Sequence, residues 1–177
     1  MKGTKAAGRY AQSLLDLALE KGVVEDVKKD MELFIQTLAE SHELDLLLQS
    51  PIIKPDLKQK SLAAIFGNAM GELSVRFFDI VTSKGREGIL PAIARAYIEL
   101  YESHNGIVRA EISSAVALTD DQRNSLKQSL SGLGKTIVLT EKVDASLIGG
   151  LKIKVGDQRI DATLRKKLNE IKVDISK

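Results

Sequence analysis

The hydrophobic period of this chain changes once, near Asn105-Gly106, and that change limits the folds open to it. Up to His104, apolar residues recur at three and four positions, the spacing that gives a helix one greasy face. Beyond Gly106 they alternate at every second position or gather in short blocks, as strands do. Charge and ring content shift at the same point. Residues 1–105 hold 13 Lys/Arg and 15 Asp/Glu, residues 106–177 hold 13 and 9, and all seven aromatic residues lie at or before Tyr101. A helix that stops at a glycine is a natural boundary. The sequence therefore predicts an α+β protein of two domains, an antiparallel six-helix bundle over 1–105 and a small α+β domain with a mixed sheet over 106–177.

Six helical stretches follow one another in the first domain. Ala7, Tyr10/Ala11, Leu14 and Leu17/Ala18 form one stripe, stopped at Gly22; Val27, Met31, Phe34/Ile35 and Leu38 form the next. Ser41 is placed as an N-cap of a short helix that ends at Ser50-Pro51, because a residue before proline avoids helical geometry. Pro55 opens a helix with Leu57, Leu62, Ile65 and Phe66 apolar. Leu73, Phe77 and Ile80/Val81 mark a fifth, closed at Gly85. Leu90, Ala94, Tyr97 and Tyr101 mark a sixth, in which Pro91 is tolerable only in the first turn.

In the second domain Val108, Ala110 and Ile112 alternate with polar residues, as in a strand with one wet face. Thr119 and Gln122 match a capping box ahead of a helix carrying Leu126 and Leu130. Thr136 to Thr140, apolar between its threonines, reads as a central strand. Leu151, Ile153 and Val155 read as another, joined through the hairpin signal Gly156-Asp157 to Gln158–Ile160. Gly149-Gly150 permits a tight lead into that strand. Asp161 or Thr163 caps a last helix with Leu164, Leu168 and Ile171.

Most catalytic chemistry finds no foothold. The absence of cysteine leaves no disulfide framework, thiolate metal site or cysteine nucleophile. His42 and His104 stand apart, with no second His nearby to build a metal site. Ser129 to Thr136 ends like a phosphate-binding loop, but it follows a helix and opens a strand, the reverse of the order that aims a helix N-terminus at phosphate. The adjacent carboxylates Glu25/Asp26 and Asp120/Asp121 suit helix starts. No catalytic residue, metal or cofactor is expected. The longest uncharged run, Ser61–Gly71, is too short to cross a bilayer, and the N-terminus lacks a secretion-signal pattern, so a protein of a reducing compartment is expected. The basic second domain leaves a nucleic-acid-binding or regulatory module open as an alternative, through Lys152, Lys154, Arg159 and Arg165-Lys166-Lys167. Against it, residues 106–177 offer no ring for a base to stack on.

What remains is a surplus of apolar helix surface. Leu15 and Leu19 lie off the main stripe of the first helix, and Phe77, Phe78, Ile80 and Val81 nearly encircle the fifth. Such helices either sit deep in a bundle or present a groove to a partner helix.

Four segments carry a resemblance. They are Gly8-Arg9-Tyr10-Ala11-x-x-Leu14-x-x-Leu17-Ala18, then Leu47-x-x-Ser50-Pro51, then Lys84-Gly85-Arg86. The fourth is Leu147-Ile148-Gly149-Gly150-Leu151-x-Ile153-x-Val155-Gly156-Asp157-x-x-Ile160-Asp161. Together, from end to end, they are similar to the delta-subunit family of bacterial ATP synthases, relatives of the mitochondrial oligomycin-sensitivity-conferring protein. Ala162 departs from the glycine often found there.

The resemblance implies a static, non-catalytic connector of the peripheral stalk. Its helical domain would hold the N-terminal segment of an alpha subunit, its second domain would meet the b subunits, and rotor torque would thereby be resisted. Carried onto this chain, the alpha groove would use Tyr10, Ala11, Ser13, Leu14, Leu17, Phe77, Ile80, Val81 and Lys84. Gly149, Gly150, Gly156 and Asp157 would serve as turn residues of the sheet. Neither nucleic acid nor a cofactor is implied, and the membrane only through the complex, at the cytoplasmic face of a bacterial inner membrane.

Overall fold

The computed structural model describes residues 2–133, 136–156 and 158–166 and divides into two compact units, Met1–Tyr101 and Glu102–Lys177. The first is helical throughout: α1 Lys2–Lys21, α2 Val24–Glu40, α3 His42–Gln49, α4 Pro55–Phe66, α5 Glu72–Ser83 and α6 Leu90–Asn105, with a 3-10 turn, Glu87–Ile89, before α6. The last turn of α6 groups with the second unit, where Glu102 Oε1 accepts from Arg109 Nε at 2.6 Å.

Local chemistry sets these ends. Ser41 Oγ accepts from the Leu44 amide at 3.3 Å and starts α3. Pro55 stands in the first turn of α4, and Pro91 is the second residue of α6, where a missing N–H costs nothing. α5 has glycine, Gly71, at its N-cap and therefore no capping side chain of its own. Buried Asp30 of α2 supplies the acceptor instead: Oδ2 takes the Gly71 amide at 3.0 Å and the Ser74 hydroxyl at 2.5 Å. Beside it Phe34, Phe66 and Phe78 meet edge to face, with centroids 4.8–6.3 Å apart, tying α2, α4 and α5 together.

The apolar face of α4 is not the one its sequence predicts. Leu57 and Ile65 are exposed, while Lys58, Leu62 and Phe66 face inward. Lys58 is 2% exposed, and its Nζ donates to Leu48 O at 3.1 Å, Ser50 O at 2.6 Å and Glu87 Oε1 at 2.5 Å. One ammonium thus satisfies the open carbonyl end of α3 and holds the 3-10 turn before α6.

The second unit is a four-stranded mixed sheet in the order β2-β1-β3-β4, from β1 Ile107–Ser114, β2 Thr136–Val143, β3 Gly150–Val155 and β4 Gln158–Thr163. Helix α7, Asp120–Leu130, links β1 to β2, which run parallel; β1/β3 and β3/β4 are antiparallel. Its start is a full capping box, Thr119 Oγ1 accepting from the Gln122 amide and Gln122 Oε1 from the Thr119 amide. The expectation of a central strand at Thr136–Thr140 is corrected. β2 is an edge strand and its side chains alternate between exposed and half-buried, while β1 is central with Ala110 and Ile112 fully covered. The apolar run of β2 reflects its parallel pairing beneath a crossover helix rather than a central position. Of the expected last helix, residues 164–166 are helical; Leu168 and Ile171 lie outside the described residues.

Two stability measurements follow. Lys58→Ala leaves Glu87 buried without its partner, and about 3 kcal/mol of folding stability should be lost in a urea titration. Lys58→Met/Glu87→Leu should restore only part of that, because the Leu48 and Ser50 carbonyls still lose their donor. Tyr97 lies wholly inside the unit, its hydroxyl donating to Val24 O at 3.1 Å; burial, then Tyr101 and Asp30, push its pKa up to about 12. The folded value exceeds the unfolded value of 10.0, so Tyr97's contribution is intact below pH 10 and disappears as pH rises toward 12. Relative to Tyr97→Phe, the native chain should lose stability over that window, read from unfolding midpoints at stepped alkaline pH.

Candidate partner-binding site

Helix periodicity separates the nine groove residues into two sets. At 100° per residue, Ala11 and Leu14 point with Ala7 and Ala18 into the core, and all four are at most 1% exposed. Val81 of α5 is equally sealed. These three cannot touch a partner directly; they are the floor beneath a groove. On α1 the outward strip is Tyr10, half-buried, with Ser13 exposed and Leu17 43% exposed. On α5 it is Ile80, 56% exposed, followed by exposed Lys84 at the C-cap. Phe77 is buried at 8% exposure and joins the two helices, its ring meeting that of Tyr10 edge-on at 6.3 Å.

A residue outside the expected set completes this contact. Arg86, beyond the end of α5, donates from Nη1 to the Tyr10 hydroxyl at 2.9 Å, and its guanidinium carbon lies 5.8 Å from the centre of the Tyr10 ring. Arg86 stands in the Lys84-Gly85-Arg86 signature, but a loop residue has no helical period from which its partner can be read. Gly85 closes α5 at φ +63, and the Arg86 amide then bonds Val81 O, returning the chain toward α1.

In the second unit, Gly150 has φ +82 and lies so close to β4 that a Cβ would fall 2.3 Å from Ala162 O, so only glycine fits. A Cβ on Gly149 would meet the Leu164 side chain at 2.7 Å. Gly156, φ +55, lies in the two-residue link between β3 and β4; Asp157 is outside the described residues. With Ala162 after it, the end of β4 is shaped by side chains. Asp161 Oδ1 accepts the Thr163 amide at 3.1 Å and hydroxyl at 2.7 Å, bonds that hold its carboxyl below the usual range. Thr163 Oγ1 then accepts the Lys166 amide at 3.3 Å and caps the helical turn that follows.

Between α7 and the start of β3 lies a pocket of about 580 Å³, lined by Val116, Leu118, Gln122, Leu126, Ile148 and Leu151 among others. The phosphate-loop look-alike sits at the far end of α7, where helix passes through a 3-10 turn, Ser131–Leu133, into strand β2; Gly134 and Lys135 are outside the described residues. Among the described residues no three His, Asp or Glu side chains gather as metal ligands, and no helix is long and apolar enough to cross a membrane.

Two outward-facing sites therefore exist, one on each unit, and neither has the composition of a catalytic centre. The family model described as ATP synthase delta (OSCP) subunit matches residues 6–175. Proteins called ATP synthase subunit delta are similar along almost the whole chain. The one from Caulobacter vibrioides is 39% identical over 97% of this chain and 94% of its own, and that from Cytophaga hutchinsonii is 34% identical over the same shares. The protein from Chlorobium phaeovibrioides is 38% identical over 95% and 93%. Among solved structures, a chain of the Toxoplasma gondii mitochondrial ATP synthase hexamer shares the fold at TM-score 0.73 and 22% identity, with 97% of each chain covered. Matched by its family model from residue 6 to residue 175, this chain belongs to the ATP synthase delta (OSCP) family.

Proposed function

We propose that this chain is the non-catalytic connector of the peripheral stalk in a proton-translocating ATP synthase. The family match across almost its full length carries the reading. In it the helical domain, residues 1–105, serves as an antiparallel six-helix bundle that holds the amphipathic N-terminal segment of an alpha subunit. The segment lies across Tyr10, Ser13 and Leu17 of α1 and Ile80 and Lys84 of α5, over the floor made by Ala11, Leu14, Phe77 and Val81. The domain 106–177 meets the C-terminal parts of the b subunits. The complex stands at the cytoplasmic face of a bacterial inner membrane, which this chain contacts only through its partners.

The physical logic is that of a tether. Resistance to torque calls for several contacts that dissociate slowly, each too small to hold alone, and a chain with two separate docking units supplies them in series. An apolar helix laid on Leu17 and Ile80 removes from water two side chains that are otherwise about half exposed. Gly149, Gly150, Gly156 and Asp157 act as turn residues that shape the second unit rather than as contacts.

The groove is tested by titrating a peptide of the alpha N-terminus into the full chain. Ile80→Asp should weaken binding tenfold or more while helicity and unfolding midpoint stay unchanged. Leu14→Asp, which places a charge at a fully covered site, should unfold the helical unit instead. Unchanged affinity in folded Ile80→Asp would remove this groove from the function. The second docking is read by a pull-down from host membranes, in which head and b subunits should come with the chain. A salt-sensitive shift of an unrelated oligonucleotide would instead favour a nucleic-acid-binding module.

A further inference from the structure

The groove between α1 and α5 is electrically lopsided. Arg9 sits beside Tyr10 on α1, Arg86 is anchored on the Tyr10 hydroxyl and ring, and Lys84 ends α5; all three cations are exposed. Among the described residues, none of them has a carboxylate within 4.0 Å. Elsewhere on the two helices charge is already matched or reversed. At the start of α5, Arg76 pairs with Glu72 at 2.6 Å. On α1 the acids Asp16 and Glu20 lie about 9 and 15 Å along the axis from Tyr10, at 1.5 Å per residue, and Asp16 accepts from Gln12. Arg86 spends one N–H on Tyr10, which fixes its guanidinium in place and leaves further donors of the planar fork open.

From this polarity we infer that the occupant of the groove is an amphipathic helix bearing carboxylates at one end, and that Arg9, Lys84 and Arg86 receive them and fix the direction in which it lies. The inference rests on the groove reading above and adds to it the partner's charge and orientation. Leu17 and Ile80 take the apolar face and would accept a helix running either way. Only the cationic end distinguishes the two directions, because the reversed helix would bring its carboxylates toward Asp16 and Glu20. Charges at the rim of an apolar contact act mainly on the rate of encounter and on its salt dependence. Arg86 acts in part through Tyr10: by holding the ring against Phe77 it couples the charged end of the groove to its apolar floor.

The test uses the full chain and a synthetic peptide of the alpha-subunit N-terminus, with binding followed at low and high salt. Lys84→Glu/Arg86→Glu should bind about tenfold more weakly at low salt, and the difference should shrink to less than about threefold at high salt, where exposed charges are screened. Lys84→Glu alone, which disturbs no contact within the chain, should show the same trend at smaller size. A peptide with its Glu and Asp changed to Gln and Asn should lose affinity for the native chain, and a peptide with Lys in their place should recover binding to the double variant. If Ile80→Asp abolishes binding while every charge variant binds like the native chain at low salt, the charge assignment is overturned and the apolar groove stands. If Ile80→Asp is also without effect, the groove itself is wrong and this inference goes with it.

Discussion

The placement of α5 depends on one buried carboxylate. That helix begins at a glycine without a capping side chain, so its first amides must find an acceptor elsewhere, and Asp30 of α2 reaches across to provide it. Buried, unpaired amides cost more than a hydrogen bond gains, so the alternative to Asp30 is an unwound first turn. With the start of α5 pinned and the Phe34/Phe66/Phe78 contact holding its middle, its remaining freedom is small. Phe77 then meets Tyr10, and Ile80 and Lys84 are turned outward beside α1. The outer surface of the helical unit is in this sense built from the inside.

The parts of the fold that were legible in the sequence are those decided within a few residues. Ser41, Pro55, Pro91 and the Thr119/Gln122 capping box act on their own turn of backbone, and their positions alone predicted where helices begin. Gly85 and Gly150 likewise announce backbone that other residues avoid. Facing is another matter, since it depends on what packs against a helix. The apolar pattern of α4 pointed to Leu57 and Ile65, yet the buried position belongs to Lys58, because three acceptors from α3, its following loop and the turn before α6 converge there. No periodicity argument places a lysine inside.

The groove shows the same division. Its residue types and spacing were visible, and the resemblance named the helices, but the pattern i, i+3, i+4 covers both the inward stripe of Ala11 and Leu14 and the outward strip of Tyr10, Ser13 and Leu17. Only the packed structure tells them apart. Arg86 was hidden for a different reason: its contact with Tyr10 joins residues 76 positions apart, a pairing that arises after the helices have assembled. In the second unit, strand identity followed from alternation, whereas the order across the sheet followed from the crossover through α7, which leaves β2 outermost.

That topology has a kinetic side. β3 and β4 pair across a two-residue turn, so their ladder closes a very short loop, while the ladder of β1 and β2 joins Ile107 to Thr136, 29 positions away. Closing the longer loop costs more chain entropy before any contact rewards it, so the hairpin forms early and β2 arrives late. Until it does, one side of β1 offers bare backbone donors and acceptors to any neighbouring chain. During synthesis of a multi-subunit assembly, the newly made second unit therefore passes through a sticky stage that the finished sheet no longer shows.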